Sequence, residues 1–149
     1  MKLPDTGHCM CGATRYRVNE EPLTVYACHC TDCQKRSGGA FGISLWARRA
    51  AIEVTQGETV LNSAPTSDGR MRHNRVCPRC LTKLWSEPER RPELAVVRAG
   101  TLDDTSWLKP VAHIWMRSAQ PWFPLPPGTK RYETQPENFL ELVDLWRNK

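Results

Sequence analysis

The sequence predicts a mainly β protein with one C-terminal helix. Its apolar residues occur in short runs that are rich in β-branched and aromatic side chains, which favour strands. The chain also contains 12 prolines, and proline interrupts long helices. Its 149 residues fit the usual length of one domain. We therefore expect a single domain, residues 1–149, built from short strands and loops.

Strands are predicted in the first half of the chain wherever a short apolar run lies between turn-forming residues. They cover residues 13–18, 23–28 and 41–47, and both sides of a turn at Gly57 within residues 52–61. Residues 28–39 form a cysteine-rich segment. Its end, Ser37-Gly38-Gly39, is predicted as a loop or turn because glycine and serine favour irregular backbone.

The second half alternates predicted strands with polar or proline-rich loops. Strands are predicted at residues 71–76, 81–85, 94–99 and 111–116. Loops are predicted at residues 64–69, at the charged segment 87–93, and at residues 120–129, which contain four prolines.

A helix is predicted at about residues 136–148. Pro136 suits the first helical position, and Glu137 favours the positive end of the helix dipole. Apolar residues then recur with helical spacing at Phe139, Leu142, Val143 and Trp146. We expect this apolar face to pack on the body of the domain, and a helix that binds a partner is the alternative.

The chain lacks the sequence features of a membrane or secreted protein. Residues 1–10 are polar and contain proline, unlike a signal peptide. No segment approaches the roughly 18–20 apolar residues that are needed to cross a bilayer. We therefore expect a cytoplasmic protein without a membrane partner.

Seven cysteines are the leading candidates for functional residues. An odd number cannot pair completely, and a reducing cytoplasm does not favour a disulfide framework. The cysteines instead form C-x-C, C-x-C-x2-C and C-x2-C motifs, which are Cys9 and Cys11; Cys28, Cys30 and Cys33; Cys77 and Cys80. Thiolates so closely spaced at a tight turn can bind one zinc ion, so the sequence predicts at least one zinc site.

The seven thiolates divide naturally into a set of four and a set of three. The middle motif can supply three ligands by itself, and the two distant pairs would then join. Four thiolates saturate tetrahedral zinc, whereas three leave a position for water or a substrate atom. Two zinc ions would also stabilise a domain whose strands are short. One zinc ion with three spare thiols, and redox-active thiols without metal, are the alternatives.

The set of three favours a small thiol as the partner, because an electron-rich zinc ion suits a soft fourth ligand. Nucleic acid is not expected, although the formal charge is +5. Seven thiolates contribute −7 and two zinc ions contribute +4, so the charge falls from +5 to +2. So small a positive charge does not predict a polyanion partner.

Six segments carry motifs of a known family. They are Gly7-His8-Cys9-Met10-Cys11-Gly12, Cys28-His29-Cys30-Thr31-Asp32-Cys33-Gln34-Lys35-Arg36-Ser37-Gly38 with Phe41, Cys77-Pro78-Arg79-Cys80, Gly100-Thr101-Leu102-Asp103-Asp104, His113-Ile114-Trp115 and Gln120-Pro121-Trp122. In these motifs the chain resembles the glutathione-dependent formaldehyde-activating enzyme and centromere protein V family. The resemblance extends from about residue 7 to residue 132, and the middle cysteine motif with Ser37-Gly38 is its most specific part.

This resemblance implies a β-tent fold of short antiparallel sheets with zinc at the edge. It implies a four-cysteine cluster that holds a structural zinc ion, formed by Cys9, Cys11, Cys77 and Cys80. It also implies a three-cysteine cluster that holds a second zinc ion at an open catalytic site, formed by Cys28, Cys30 and Cys33. Members are commonly described as carbon–sulfur lyases that act on S-hydroxymethylglutathione, the adduct of glutathione and formaldehyde. The implied function is therefore a zinc-dependent carbon–sulfur lyase with glutathione as its thiol partner.

One residue departs from the family pattern. Glycine usually follows the second C-x2-C motif, whereas Leu81 precedes Thr82 here. Glycine would permit a left-handed backbone. We therefore expect either strain at Leu81 or a reshaped turn.

The histidines are assigned lesser roles. His29 lies between two predicted ligands and is expected to point away from the metal ion. His8 and His113 are expected to pack or to form hydrogen bonds.

Two other functions fit part of the pattern. A zinc-ribbon module that binds nucleic acid or protein is the main alternative, but it has no use for an incomplete site of three cysteines. A redox enzyme similar to methionine sulfoxide reductases would need an exposed cysteine of low pKa outside the metal sites.

Overall fold

The computed structural model describes residues 2–67 and 69–149, which form two compact units. The first unit comprises Met1–Pro22 and Leu45–Trp107, and the second comprises Leu23–Ser44 and Leu108–Lys149. Short strands dominate, and the C-terminal helix is present, so the predicted fold class is confirmed. The assignment of the whole chain to a single domain stays a prediction.

A three-stranded antiparallel sheet belongs to the first unit. Strand β1 (Asp5–His8) pairs with β2 (Arg15–Val18), and β2 also pairs with the later strand β5 (Ile52–Gln56). The connection from β1 to β2 carries Cys9 and Cys11. These two cysteines therefore lie at one end of the sheet.

Four further strands of the first unit form an antiparallel meander. They are β6 (Val60–Pro65), β7 (Met71–Val76), β8 (Lys83–Pro88) and β9 (Leu94–Arg98). The connection from β7 to β8 carries Cys77 and Cys80. Strand β7 has the predicted bounds, so it ends directly before the first of these cysteines.

Trp85 and Tyr16 form the centre of the core of the first unit. Their rings lie 5.9 Å apart, and both side chains are almost fully buried. Leu45, Leu84 and Val97 are buried around them. Tyr16 and Val18 are both buried because alternate residues of a strand point to the same face.

The second unit is built on parallel strand pairs. Strand β3 (Thr24–Cys28) is buried along its whole length and pairs with β10 (Ala112–Ile114), which also pairs with β11 (Lys130–Arg131). Complete burial explains why β3 reads as a continuous apolar run and not as an alternating one. Strand β4 (Gly42–Arg48) contains the boundary between the two units, after Ser44.

The C-terminal helix α2 comprises Leu140–Arg147 and packs on β3. Leu142 and Trp146 are buried, which confirms the predicted apolar face. The Thr24 hydroxyl donates a hydrogen bond of 2.7 Å to the Leu142 carbonyl and so ties strand to helix. Within the described part of the chain, no helix has the length and apolar character that a membrane span requires.

Helix α2 begins later than predicted, and Pro136 is not its first residue. The Asn138 side chain accepts a hydrogen bond of 3.0 Å from the Leu140 amide. Asparagine favours such local turns, and this one precedes the helix.

Two predicted loops are also shorter than expected. Strand β8 continues to Pro88, so Glu87 belongs to a strand and not to a surface loop. Hydrogen bonds from two arginine side chains hold its carboxylate there. Strand β6 continues to Pro65, within the loop predicted at residues 64–69, and Asp68 of that loop lies outside the described residues.

Candidate metal centres

The first unit brings the four-cysteine cluster together. The sulfur atoms of its members all lie within 4.8 Å of one another. The Cys9 and Cys11 sulfurs are 3.5 Å apart, and the Cys11 and Cys77 sulfurs are 3.9 Å apart. Four sulfurs placed tetrahedrally about 2.3 Å from a zinc ion would lie about 3.8 Å from one another. The cluster therefore has the dimensions of a closed tetrahedral thiolate site.

Hydrogen bonds from neighbouring threonines reach two of these sulfurs. The Thr14 amide donates to Cys9 Sγ at 3.3 Å, and the Thr82 hydroxyl lies 3.1 Å from Cys80 Sγ. The hydrogen bonds from Thr82 lower the pKa of Cys80 to about 5. Because they stabilise the thiolate, they favour the form that binds metal.

Leu81 follows the cluster in a left-handed backbone conformation, with a φ of 60°. Its amide donates to the Cys77 carbonyl at 3.0 Å and closes the turn, while its side chain is 71% exposed. The turn therefore keeps the shape that glycine would allow, and the expected strain at Leu81 is present. This conformation costs a residue with a Cβ roughly 1–2 kcal/mol.

The second unit brings the three-cysteine cluster together, again with all sulfurs within 4.8 Å of one another. Cys28 ends β3, and Cys30 and Cys33 lie at the start of the following helix. Among residues 2–67 and 69–149, no fourth histidine, cysteine, aspartate or glutamate joins these three sulfurs. All seven cysteines thus belong to one of the two clusters, and no spare thiol remains for the redox alternative.

Helix α1 (Thr31–Ser37), which was not predicted, makes the middle motif converge. The Cys30 side chain caps it by accepting a hydrogen bond of 3.4 Å from the Cys33 amide. Cysteine is not among the usual capping residues, so the sequence carried no start signal. Gly38 ends the helix with a φ of 64°. The predicted turn is therefore confirmed at Gly38 and Gly39, whereas Ser37 is the last residue of the helix.

The three sulfurs of this cluster are close enough to affect one another's protonation. Hydrogen bonds with the Cys30 and Cys33 sulfurs raise the pKa of Cys28, and burial raises it further. A metal ion reverses this balance because it binds thiolates and displaces their protons. Cys28 is buried, whereas Cys30 and Cys33 are partly exposed. Both clusters could therefore hold a metal ion, and their sulfur donors fit zinc.

His29 is buried and lies in the sequence between Cys28 and Cys30, but it is not part of the cluster. Its ring packs 5.1 Å from Phe41 and from His113, with its Nε2 atom 2.8 Å from His113 Nδ1. Burial lowers the pKa of both histidines, to about 4 for His113. Both rings are therefore neutral at pH 7.

Two further histidines form hydrogen bonds with residues outside the clusters. His8 Nδ1 bonds to the Asp103 carboxylate, which also accepts the Thr6 hydroxyl at 2.6 Å. His73 Nδ1 lies 2.8 Å from the Ser63 hydroxyl. The hydrogen-bonding role predicted for His8 is therefore confirmed.

Sequence reasoning missed the role of Gln34. Its side chain donates to the carbonyl oxygens of His29 and Ser118, both at 2.7 Å. The only signal in the sequence was the position of this glutamine directly after Cys33. Its contact with Ser118, 84 residues further along the chain, could not be predicted from spacing.

The fold and the two clusters define a class of protein: a β-rich chain in which one set of four cysteines and one set of three could each hold a metal ion. Residues 4–118 match the family described as "Glutathione-dependent formaldehyde-activating enzyme", and the chain belongs to this family.

Two similar proteins extend this result. A Halomonas elongata protein named "Putative glutathione-dependent formaldehyde-activating enzyme" is 32% identical over 124 residues, which cover 78% of this chain and 77% of that protein. A crystal structure of a Rhodobacter sphaeroides protein aligns with a TM-score of 0.52 and 23% identity, over 68% of this chain and 91% of that one. At this identity the second likeness shows a shared fold.

Proposed function

We propose that the protein is a zinc-dependent carbon–sulfur lyase that acts on S-hydroxymethylglutathione and releases glutathione and formaldehyde. The observation that carries this proposal is the convergence of Cys28, Cys30 and Cys33 without a fourth protein ligand among the described residues. Membership in the family supports glutathione and formaldehyde as the reacting molecules.

The two clusters have different roles in this proposal. The four-cysteine cluster holds a structural zinc ion, because four sulfurs complete a tetrahedral site. Cys28, Cys30 and Cys33 would hold a second zinc ion, which would supply a coordination position for the substrate sulfur and favour its thiolate form at neutral pH.

The chain contributes access and orientation to the reaction. Cys28 is 6% exposed, so the substrate approaches from the side of Cys30 and Cys33. In the lyase direction the hydroxyl of the adduct loses its proton to water, which reaches this side. The carbon–sulfur bond then breaks, its electron pair stays on sulfur, and the carbon leaves as formaldehyde.

Formaldehyde release from S-hydroxymethylglutathione, corrected for spontaneous breakdown, tests this proposal. The zinc-loaded wild type should accelerate release, and Cys30→Ser should reduce the rate to the spontaneous one. Zinc content should fall from two ions to one while the circular dichroism spectrum is kept. A wild type with two zinc ions and no turnover would favour the binding-module alternative, and an active Cys30→Ser variant would contradict the assigned site.

A further inference from the structure

The Gln34 side chain connects three segments of the second unit. Its Nε2 atom donates to the carbonyls of His29 and Ser118 at 2.7 Å, and its Oε1 atom accepts from Gln120 Nε2 at 2.8 Å. Both amide hydrogens and the carbonyl oxygen are therefore used. Because two of the partners are carbonyl oxygens, only one orientation of the amide satisfies the network.

The His29 peptide lies between Cys28 and Cys30, so its position sets the separation of their sulfurs. Its amide donates to a β10 carbonyl at 3.0 Å. Its carbonyl accepts hydrogen bonds from Gln34 and also from the Ser118 hydroxyl, the latter at 3.0 Å. The His29 backbone is therefore held at both its amide and its carbonyl.

Gln34 also follows the third ligand directly. It lies in α1 beside Cys33, while its amide bonds to the His29 carbonyl of the preceding segment. The Gln34 side chain thus connects α1, which carries the Cys33 sulfur, to the His29 backbone, which lies between Cys28 and Cys30. Hydrogen bonds behind metal ligands are a common means of orienting them.

A strained turn places Ser118 for this contact. Trp115 has a φ of 61°, which is rare for an aromatic residue, and it leads into the 3-10 helical turn Met116–Ser118. The Ser118 amide donates to the Trp115 carbonyl at 3.2 Å. The Ser118 hydroxyl, which donates to the His29 carbonyl, also lies 3.1 Å from the Trp115 carbonyl. Such a conformation persists only where the surroundings hold it, as the contacts to Ser118 do here.

We propose that Gln34 is a positioning residue that keeps the three sulfurs at metal-binding separation by fixing the His29 peptide to α1. It acts through these contacts and does not touch the substrate. The inference rests on the proposed function only in taking the three-cysteine cluster to hold zinc.

Competition with a chromophoric chelator measures the zinc affinity of each cluster, with Cys30→Ser as the reference for the four-cysteine cluster alone. Loss of hydrogen bonds behind metal ligands lowers metal affinity about 10–100-fold. We expect a loss of this size at the three-cysteine cluster in Gln34→Leu, with the four-cysteine cluster unchanged. Gln34→Glu keeps the size of the side chain but cannot donate to two carbonyls, so it should lose affinity as well.

Matched variants separate positioning from general damage. Gln120→Leu removes only the bond to Oε1, so its loss should be smaller than that of Gln34→Leu. Gln135→Leu changes an exposed glutamine of the same unit and should have no effect. Should Gln34→Leu fail to fold, Ser118→Ala removes a single donor from the His29 carbonyl and should produce a partial loss.

Replacing zinc with cobalt(II) gives a second measurement, the absorption spectrum of the bound metal. This spectrum would not change if Gln34 contributed only to the stability of the fold. The sulfur-to-cobalt charge-transfer absorption of the three-cysteine cluster should change in the Gln34 variants and stay constant in Gln135→Leu.

The outcomes distinguish this inference from the proposed function. Unchanged zinc affinity and cobalt absorption in folded Gln34 variants would overturn the inference even if the wild type turned over the adduct. Reduced affinity in the variants, together with a wild type that lacks turnover, would support the inference and overturn the proposed function. A three-cysteine cluster that binds no zinc in the wild type would overturn both.

Discussion

His29 and His113 form a buried hydrogen bond, with His29 Nε2 2.8 Å from His113 Nδ1. The bond joins the residue directly after β3, which ends at Cys28, to β10. The other ring nitrogen of His29, Nδ1, is buried and has no hydrogen-bond partner in the described part of the chain. The ring therefore depends on His113 for its polar contact.

Replacing His113 should destabilise the protein through this loss. His113→Leu leaves both nitrogens of His29 buried without a partner, which should lower the free energy of unfolding by about 1–3 kcal/mol. Urea denaturation of the zinc-loaded protein measures this. His73→Leu is the control, because His73 is partly exposed and its loss should cost about 0.5 kcal/mol or less. Equal losses in the two variants would contradict the account.

Restoring glycine at position 81 should stabilise the protein. Leu81→Gly relieves a left-handed conformation that costs about 1–2 kcal/mol, and the added freedom of glycine in the unfolded chain offsets about 0.5–1 kcal/mol of this. We expect a net gain of up to about 1.5 kcal/mol in the free energy of unfolding. Leu61→Gly, at an exposed strand position without positive φ, should instead destabilise. Destabilisation by Leu81→Gly would refute the assigned strain.

Glu87 is held by three side chains of the first unit. Its Oε1 atom accepts hydrogen bonds from Arg49 Nε at 2.8 Å, Arg75 Nε at 3.1 Å and Trp85 Nε1 at 3.2 Å. Burial alone would raise the pKa of Glu87, but the hydrogen bonds from Arg75, Arg49 and Trp85 outweigh burial and lower it. The ionised carboxylate therefore stabilises the folded state.

Glu87→Gln should lower the free energy of unfolding by about 1–3 kcal/mol at pH 7. The folded pKa lies below the unfolded value of about 4.3, so the contribution is complete above that pH and is lost as the pH falls through the folded pKa. The difference between wild type and variant should therefore shrink in acid. Urea titrations at several pH values test this, with the exposed Glu89→Gln as control. A difference that grew in acid would be the opposite of the prediction.

The two clusters should differ in their importance for stability. Cys77 is fully buried, and its cluster ties the β1–β2 connection to the β7–β8 connection. Cys77→Ser should lower the free energy of unfolding by several kcal/mol and the midpoint of thermal unfolding by about 10 °C or more. Cys30→Ser should change both quantities only slightly. Differential scanning calorimetry provides the measurement. A larger loss in Cys30→Ser would reverse the assigned roles.

Local sequence patterns predicted the parts of the fold that depend on neighbouring residues. Strand β7 was predicted with its observed bounds, and the apolar face of α2 follows from the helical spacing of Leu142 and Trp146. The spacing of the cysteines allowed the division into four and three, and the family resemblance implied it. The glycine usual at position 81 left two outcomes open, strain at Leu81 or a reshaped turn, and the structure has the first. Patterns within a strand, a helix or a single cysteine motif involve residues that are close in the sequence or that repeat with a fixed period.

The features that were missed depend on unusual local chemistry or on distant contacts. Helix α1 is capped by Cys30, a residue without a recognised capping signal. The parallel pairing of β10 and the bonds from Gln34 to Ser118 join residues far apart in the sequence. Glu87 was assigned to a loop because the segment 87–93 is charged and contains prolines. The contacts with Arg49 and Arg75 that hold it in a strand form only in the folded protein.

Calorimetric titration of the zinc-loaded protein with reduced glutathione tests the central claim most directly. Because a zinc ion held by the three-cysteine cluster would have a position for a thiolate, the proposal predicts that the wild type shows saturable binding that Cys30→Ser abolishes. Cys30→Ser should retain the zinc ion of the four-cysteine cluster, which confirms that the variant is folded. Absence of binding by the wild type at millimolar glutathione, or equal binding by Cys30→Ser, would contradict thiol chemistry at this site.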